Sequence, residues 1–169
     1  MQQPSDSLVF NRTAADVAAV KSLKKQIIAG TASDAQQQTW FSGTMPGAWN
    51  YTDLNRIEEW TVYLQQFLIQ YGYTAAITSP NTAWTVEDYP TQSEIDRIRT
   101  NVDALQNGFY SIPDWKDIVY NQTMNFSQAN DLEWDLQTLY NWLQSMVEGF
   151  LFRQANTLFM VAGGLFNNA

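Results

Sequence analysis

At 169 residues, 45% hydrophobic and 14% aromatic, the chain can bury a core and lies outside the composition of disordered proteins. Its net charge of −8 argues against nucleic acid as a partner, because phosphate backbones are held by clustered Lys and Arg. The absence of Cys and His excludes disulfides, thiol nucleophiles, Cys/His metal sites and the commonest general base.

Residues 1–12 read as an extended N-terminal arm ending in Leu8-Val9-Phe10, with no basic segment before an apolar run, so no secretory signal is expected. Thr13-Ala-Ala-Asp16 has capping-box spacing, and Val17, Val20, Leu23, Ile27 and Ile28 follow at helical spacing until Gly30. Lys21, Lys24 and Lys25, the one basic cluster, fall on the exposed face of that helix and read as a solvated face. A polar stretch, Ala32 to Gln38, leads to Trp40-Phe41 and to a turn at Ser42-Gly-Thr-Met-Pro-Gly47. Asn50 or Thr52 caps a helix filled by Leu54, Ile57, Val62, Leu64, Phe67 and Leu68 and closed by Gly72.

Residues 73–90 read as a linker, with a short strand as an option. Thr91-Gln-Ser-Glu94 is a full capping box before Ile95, Ile98, Val102 and Leu105, and Asn107-Gly108 ends that helix. A loop with Pro113 and Trp115 follows, and Asn125-Phe126-Ser127 opens a long last helix. There Leu132, Leu136, Leu139, Leu143, Met146 and Phe150 alternate by four and three, while Trp134, Tyr140, Trp142, Val147 and Leu151 add apolar area on other faces. Such a helix is expected to be buried on all sides.

The halves resemble each other. Thr13, Asp16, Val17, Val20, Ile27 and Gly30 match Thr91, Glu94, Ile95, Ile98, Leu105 and Gly108 at an offset of 78. Asn50, Asn55, Glu58, Leu64 and Leu68 match Asn125, Asn130, Glu133, Leu139 and Leu143 at an offset of 75, and Trp40 falls on Trp115 at that same offset. The fold expected is all-α: a four-helix core built from a tandemly duplicated helix–Trp loop–helix unit, residues 13–72 and 91–153, with a long C-terminal helix. Gly30 should then superpose on Gly108, and Asn50 on Asn125.

Asn11-Arg12-Thr13 through Asp16-Val17, then Trp40, Asn50-Tyr51-Thr52-Asp53-Leu54-Asn55-Arg56-Ile57-Glu58 and Trp84-Thr-Val-Glu-Asp-Tyr-Pro-Thr91 together resemble a module of structural proteins from phages and prophages of Gram-positive bacteria. The likeness covers most of residues 8–150. It implies a virion component assembled in the bacterial cytoplasm, of the tail tip, baseplate or fibre-attachment region, whose partners are other phage structural proteins. The expectation is therefore a non-enzymatic adaptor without cofactor or bound metal. Its alternatives are a tail module binding host polysaccharide, a neck or head protein anchoring fibres, and a small cell-wall hydrolase.

Charged residues make up only 15% of the chain, against roughly a quarter in ordinary soluble domains, which suits a surface covered in an assembly. A secreted or acid-tolerant monomer is the other reading of that composition. Residues 154–169 carry no charge, and Leu158, Phe159, Met160, Val161, Leu165 and Phe166 are expected to dock on another copy, as trimer or hexamer, or on another protein. The apolar run from Thr157 to Phe166 is too short to span a bilayer. Trp49, Tyr51 and Tyr110 are the candidates for glycan contact. Glu58 and Glu133, with Asp53, Glu59, Asp131 and Asp135 nearby, could serve acid–base work on a glycoside. Structural pairing with Arg12 and Arg56 is the favoured reading, with little effect expected from replacing both glutamates by Gln.

Overall fold

The computed structural model describes residues 2–120 and 123–164, the last ten of these by their backbone. It is all-α, with α1 Ala14–Ile28, α2 Asp34–Phe41, α3 Tyr51–Gln70, α4 Gln92–Asn107 and α5 Phe126–Gly164, and no strand among the described residues. Capping boxes start α1 at Thr13 with Asp16 and α4 at Thr91 with Glu94, as the spacing predicts. Asn125 and Gln128 exchange side chain-to-backbone bonds at the start of α5. A further box, Ser33 with Gln36, starts α2 inside the stretch read as loop.

The core belongs to three helices, not four. Leu54, Ile57, Leu64 and Leu68 of α3 meet Ile98, Val102 and Leu105 of α4 and Leu132, Leu136, Leu139 and Leu143 of α5, all nearly or fully buried. Among the described residues α1 buries only Leu23 and α2 none, and the two pack on each other beside the bundle. The cause is visible in α1. Its stripe is narrow, interrupted by alanines and three exposed lysines, and Ile28 at its end stays 76% exposed.

The repeat survives in local devices and not in packing. Gly30 has φ +67, the left-handed conformation that ends a helix, whereas Gly108 has φ −80. Gly108 is needed for closeness instead, because a Cβ there would lie 2.3 Å from the Thr74 carbonyl oxygen. Glu58 and Glu133 are both buried acceptors for arginine. Asn55 and Asn130 do the same job twice, described next.

Two extended straps cross the bundle, and amide side chains hold them. Asn130 on α5 donates to the Arg12 carbonyl at 2.9 Å and accepts from its N–H at 3.1 Å. Asn55 on α3 treats Trp84 in the same way, at 2.9 and 2.7 Å. Asn101 on α4 treats Thr78 likewise, at 3.0 and 2.7 Å. The 73–90 linker is thus a fastened strap, with Ala75 and Trp84 buried beneath it. The N-terminal arm is fastened further by Trp60, whose indole N–H donates to the Asp6 carbonyl at 2.8 Å, and by Leu8, which is buried.

Helix α5 runs unbroken past residue 153, so no boundary separates a tail there. Its 39 residues span about 58 Å at 1.5 Å per residue. Contrary to burial on all sides, Trp134, Trp142, Phe150 and Leu151 are 40 to 60% exposed. The other two core helices, α3 and α4, offer α5 one seam. Outside it Trp134 meets Phe10, edge to face at 5.4 Å, and Lys116, and the turns from Glu148 to Gln154 are exposed.

Candidate functional site

Four charged side chains meet where the arm crosses α3 and α5. The Arg12 guanidinium donates to Asp53 at 2.9 Å and to Glu133 at 2.6 Å. Arg56 donates to both oxygens of Glu133, at 2.8 and 2.9 Å, and to Asp53. The Val9 N–H adds a bond to Glu133 at 2.6 Å, and Asp53 also accepts the Asn50 N–H that caps α3. All four residues are less than a tenth exposed. Two positive and two negative groups cancel, which is the condition for burying them together. Burial alone would favour a neutral Arg56, but Glu133 and Asp53 outweigh it and raise its affinity for its proton. Glu58 is held separately by both terminal nitrogens of Arg97, at 2.9 and 2.5 Å.

These carboxylates are arranged as structural pairs. Arg12 and Arg56 reach Glu133 as the sequence suggests, whereas Glu58 takes Arg97, a residue not anticipated for it. General acid–base work on a glycoside needs two carboxyls facing a shared cleft. Glu58 and Glu133, 1% and 0% exposed, are each enclosed by their own arginines. The small effect expected from replacing them assumed surface pairs, and both glutamates are instead buried. Among the described residues no group of three or more acidic side chains is placed to hold a metal ion, and no helix is long and apolar enough to cross a membrane.

Asp135 stands apart. It is fully buried, its Oδ1 accepts the Lys116 N–H at 2.9 Å, and its Oδ2 has no partner. Burial pushes its pKa up to about 7, against the lowering effect of the Lys116 bond, with Asp131 nearby raising it further. An unfolded aspartate releases its proton near 3.8, so between about pH 4 and 7 the folded state holds a proton that the unfolded state lacks. Stability therefore falls as pH rises through that window and levels off above it. Asp135→Asn keeps the acceptor for Lys116 without the charge. Relative to the wild type, it should melt at a temperature that rises progressively from about pH 4, the foot of that window, to pH 8, by differential scanning calorimetry. A variant with an unchanged pH profile would show that Asp135 does not carry this dependence.

A groove of about 620 Å³ opens beside the tetrad, between the first turns of α1 and α5. Ala14, Val17, Ala18, Trp49, Phe126 and Ala129 form its apolar walls, and Lys21 stands on its edge. The 46–49 turn fits because Gly47 lies directly on the α1 backbone. Thr52 ties the preceding turn down by donating to the Gly43 carbonyl at 2.8 Å.

The glycan candidates do not converge. Trp49 lies in the groove wall and Tyr51 on the first turn of α3. Tyr110 packs edge-on with Tyr73 and Phe109, and Tyr73 reaches Met146 on α5. Phe126 and Met146 are separated by about 30 Å along that helix. The rings at the Tyr110 end contact one another edge to face, not as one flat platform. Trp84 is buried in the core and Trp115 packs against it, whereas Trp40 sits on α2, which has no buried residue.

Of the docking residues, Leu158, Phe159, Met160 and Val161 fall on the last turns of α5, and their side chains lie outside the described residues, as do Leu165 and Phe166 altogether. The adjoining turns are described, and every residue from Glu148 to Gln154 is exposed, including Phe150 at 47%, Leu151 at 60% and Phe152 at 69%. Compared with protein-family models, with curated proteins and with solved structures, the chain matches none.

Proposed function

We propose that the chain is a non-enzymatic structural protein of a phage particle, an adaptor of the tail tip or baseplate that works by binding other copies and other virion proteins. The observation that carries the assembly part is the end of α5. The helix leaves its bundle after Val147 and continues to Gly164 with Phe150, Leu151 and Phe152 exposed on successive faces. An apolar helix end of this kind is stable in water only when something covers it. The phage part is supported by the likeness of the Asn11–Val17 and Asn50–Glu58 segments to that family of structural proteins. In the particle the chain would act as a homo-oligomer, with nucleic acid and membrane left to other components.

Deleting Glu148 to Ala169 tests this reading. The truncated chain should keep its helical circular dichroism and melt within a few degrees of the full chain, since no described core residue is lost. It should fail to join oligomers or particles reconstituted with the other structural proteins. Loss of the fold on truncation, or undiminished incorporation, would defeat the proposal.

A further inference from the structure

We propose that the groove between α1 and α5 is the seat for the exposed α5 end of a second copy, joining copies head to tail. This rests on the reading of the α5 end as a docking element and names its receptor. The chain's apolar groove and its apolar helix end lie at opposite ends of one helix. The groove touches α5 at Phe126 and Ala129, and the uncovered stretch begins near Phe150, about 36 Å further along. A helix continuous to Gly164 cannot double back over that distance, so the end reaches such a groove only on another molecule.

Charge favours the same pairing. Two copies with net charge −8 repel in general, yet the groove edge carries Lys21, followed along α1 by Lys24 and Lys25, all exposed. Arg12, the groove's other charged residue, is already neutralised by Asp53 and Glu133. On the entering helix Glu148 is the single side-chain carboxylate after Asp135 and the exposed Arg153 the single cation. Glu148 precedes Phe152 by four residues, which puts those two on one face, with Arg153 turned about 100° from Phe152. Phe152 entering the groove thus brings Glu148 toward Lys21. The stretch from Gln154 to Gly164 has no charge to desolvate. A contact between two different patches propagates, and it closes into a ring when the rotation per copy allows.

Single cysteines test this cleanly, since the chain has none of its own. Ala18→Cys in the groove and Phe152→Cys on the helix end are both at exposed positions. Mixed and treated with a short bismaleimide, the two full-length variants should yield the 18–152 product in preference to either self-linked product. Lys21→Glu should weaken self-association about tenfold by analytical ultracentrifugation, and adding Glu148→Lys should restore it. A dominant 152–152 product would overturn the groove as receptor while leaving the helix end as the docking element. Unchanged association of Lys21→Glu would overturn the groove likewise. A full-length chain that stays monomeric and forms no cross-link would overturn both this pairing and self-assembly through α5.

Discussion

Glu133→Gln should lower the stability of the fold by about 3–5 kcal/mol, the usual cost of removing one member from a buried charge pair. The side chain accepts from Arg12, Arg56 and the Val9 N–H while fully enclosed. Its loss leaves two guanidiniums facing Asp53 alone. For a chain of this length the melting temperature should fall by roughly 10 °C or more. The arm should loosen at the same time, since Glu133 holds Val9, and amide exchange over residues 6–10 should speed up. A second substitution distinguishes charge imbalance from lost shape. Arg12→Met added to Glu133→Gln leaves one positive and one negative group, so the double variant should lose less than the sum of the two single losses. Additive losses would rule out the charge-balance account. Glu58→Gln should cost less, because its partner Arg97 is partly exposed and recovers water when released.

Gly47→Ala should release α1 and α2 while sparing the core. The added Cβ would lie 2.1 Å from the Asp16 carbonyl oxygen and 2.5 Å from the Val17 nitrogen, both backbone atoms that no rotamer change moves aside. Overpacking of this kind costs about 1–3 kcal/mol, and here the strain falls on a helix that buries only Leu23. Trypsin should therefore cut at Lys21, Lys24 and Lys25 roughly fivefold faster or more, because cleavage tracks the opened population. The tryptophan-monitored melt of the α3–α4–α5 core should move by less. Unchanged cleavage would show that Gly47 does not seat α1.

What the sequence revealed followed from local rules. Thr13 with Asp16 and Thr91 with Glu94 announce helix starts within four residues, and the Leu132, Leu136, Leu139 and Leu143 seam is periodic enough to place α5 on a core. Ser33 with Gln36 carried the same signal for α2 and was masked by the polar residues around it. The number of core helices was less accessible. The stripes of α1 and α4 look alike in spacing, but the alanines and lysines of α1 leave too little apolar width to bury.

The tetrad was half visible. Arg12, Arg56 and Glu133 were recognisable as partners by type, but their burial depends on the arm crossing α5, a contact between residues 121 positions apart. Asp135 had a usable signal, because it lies three residues after Leu132 and one before Leu136, on the side of α5 that enters the core. The groove had none. It arises from how α1 stands against α5, and neither helix shows that in its own pattern.

The asparagine clamps have a bearing on aggregation. An extended segment usually finds its hydrogen bonds in a neighbouring strand, and such ladders can slip by two residues or recruit a foreign chain at an open edge. Here Arg12, Thr78 and Trp84 each have both backbone groups taken by one amide side chain fixed on a helix. A clamp one residue long has a single register, because sliding the strap in either direction breaks both of its bonds at once. The fold thereby carries extended chain across its surface at three points that offer nothing for another strand to copy.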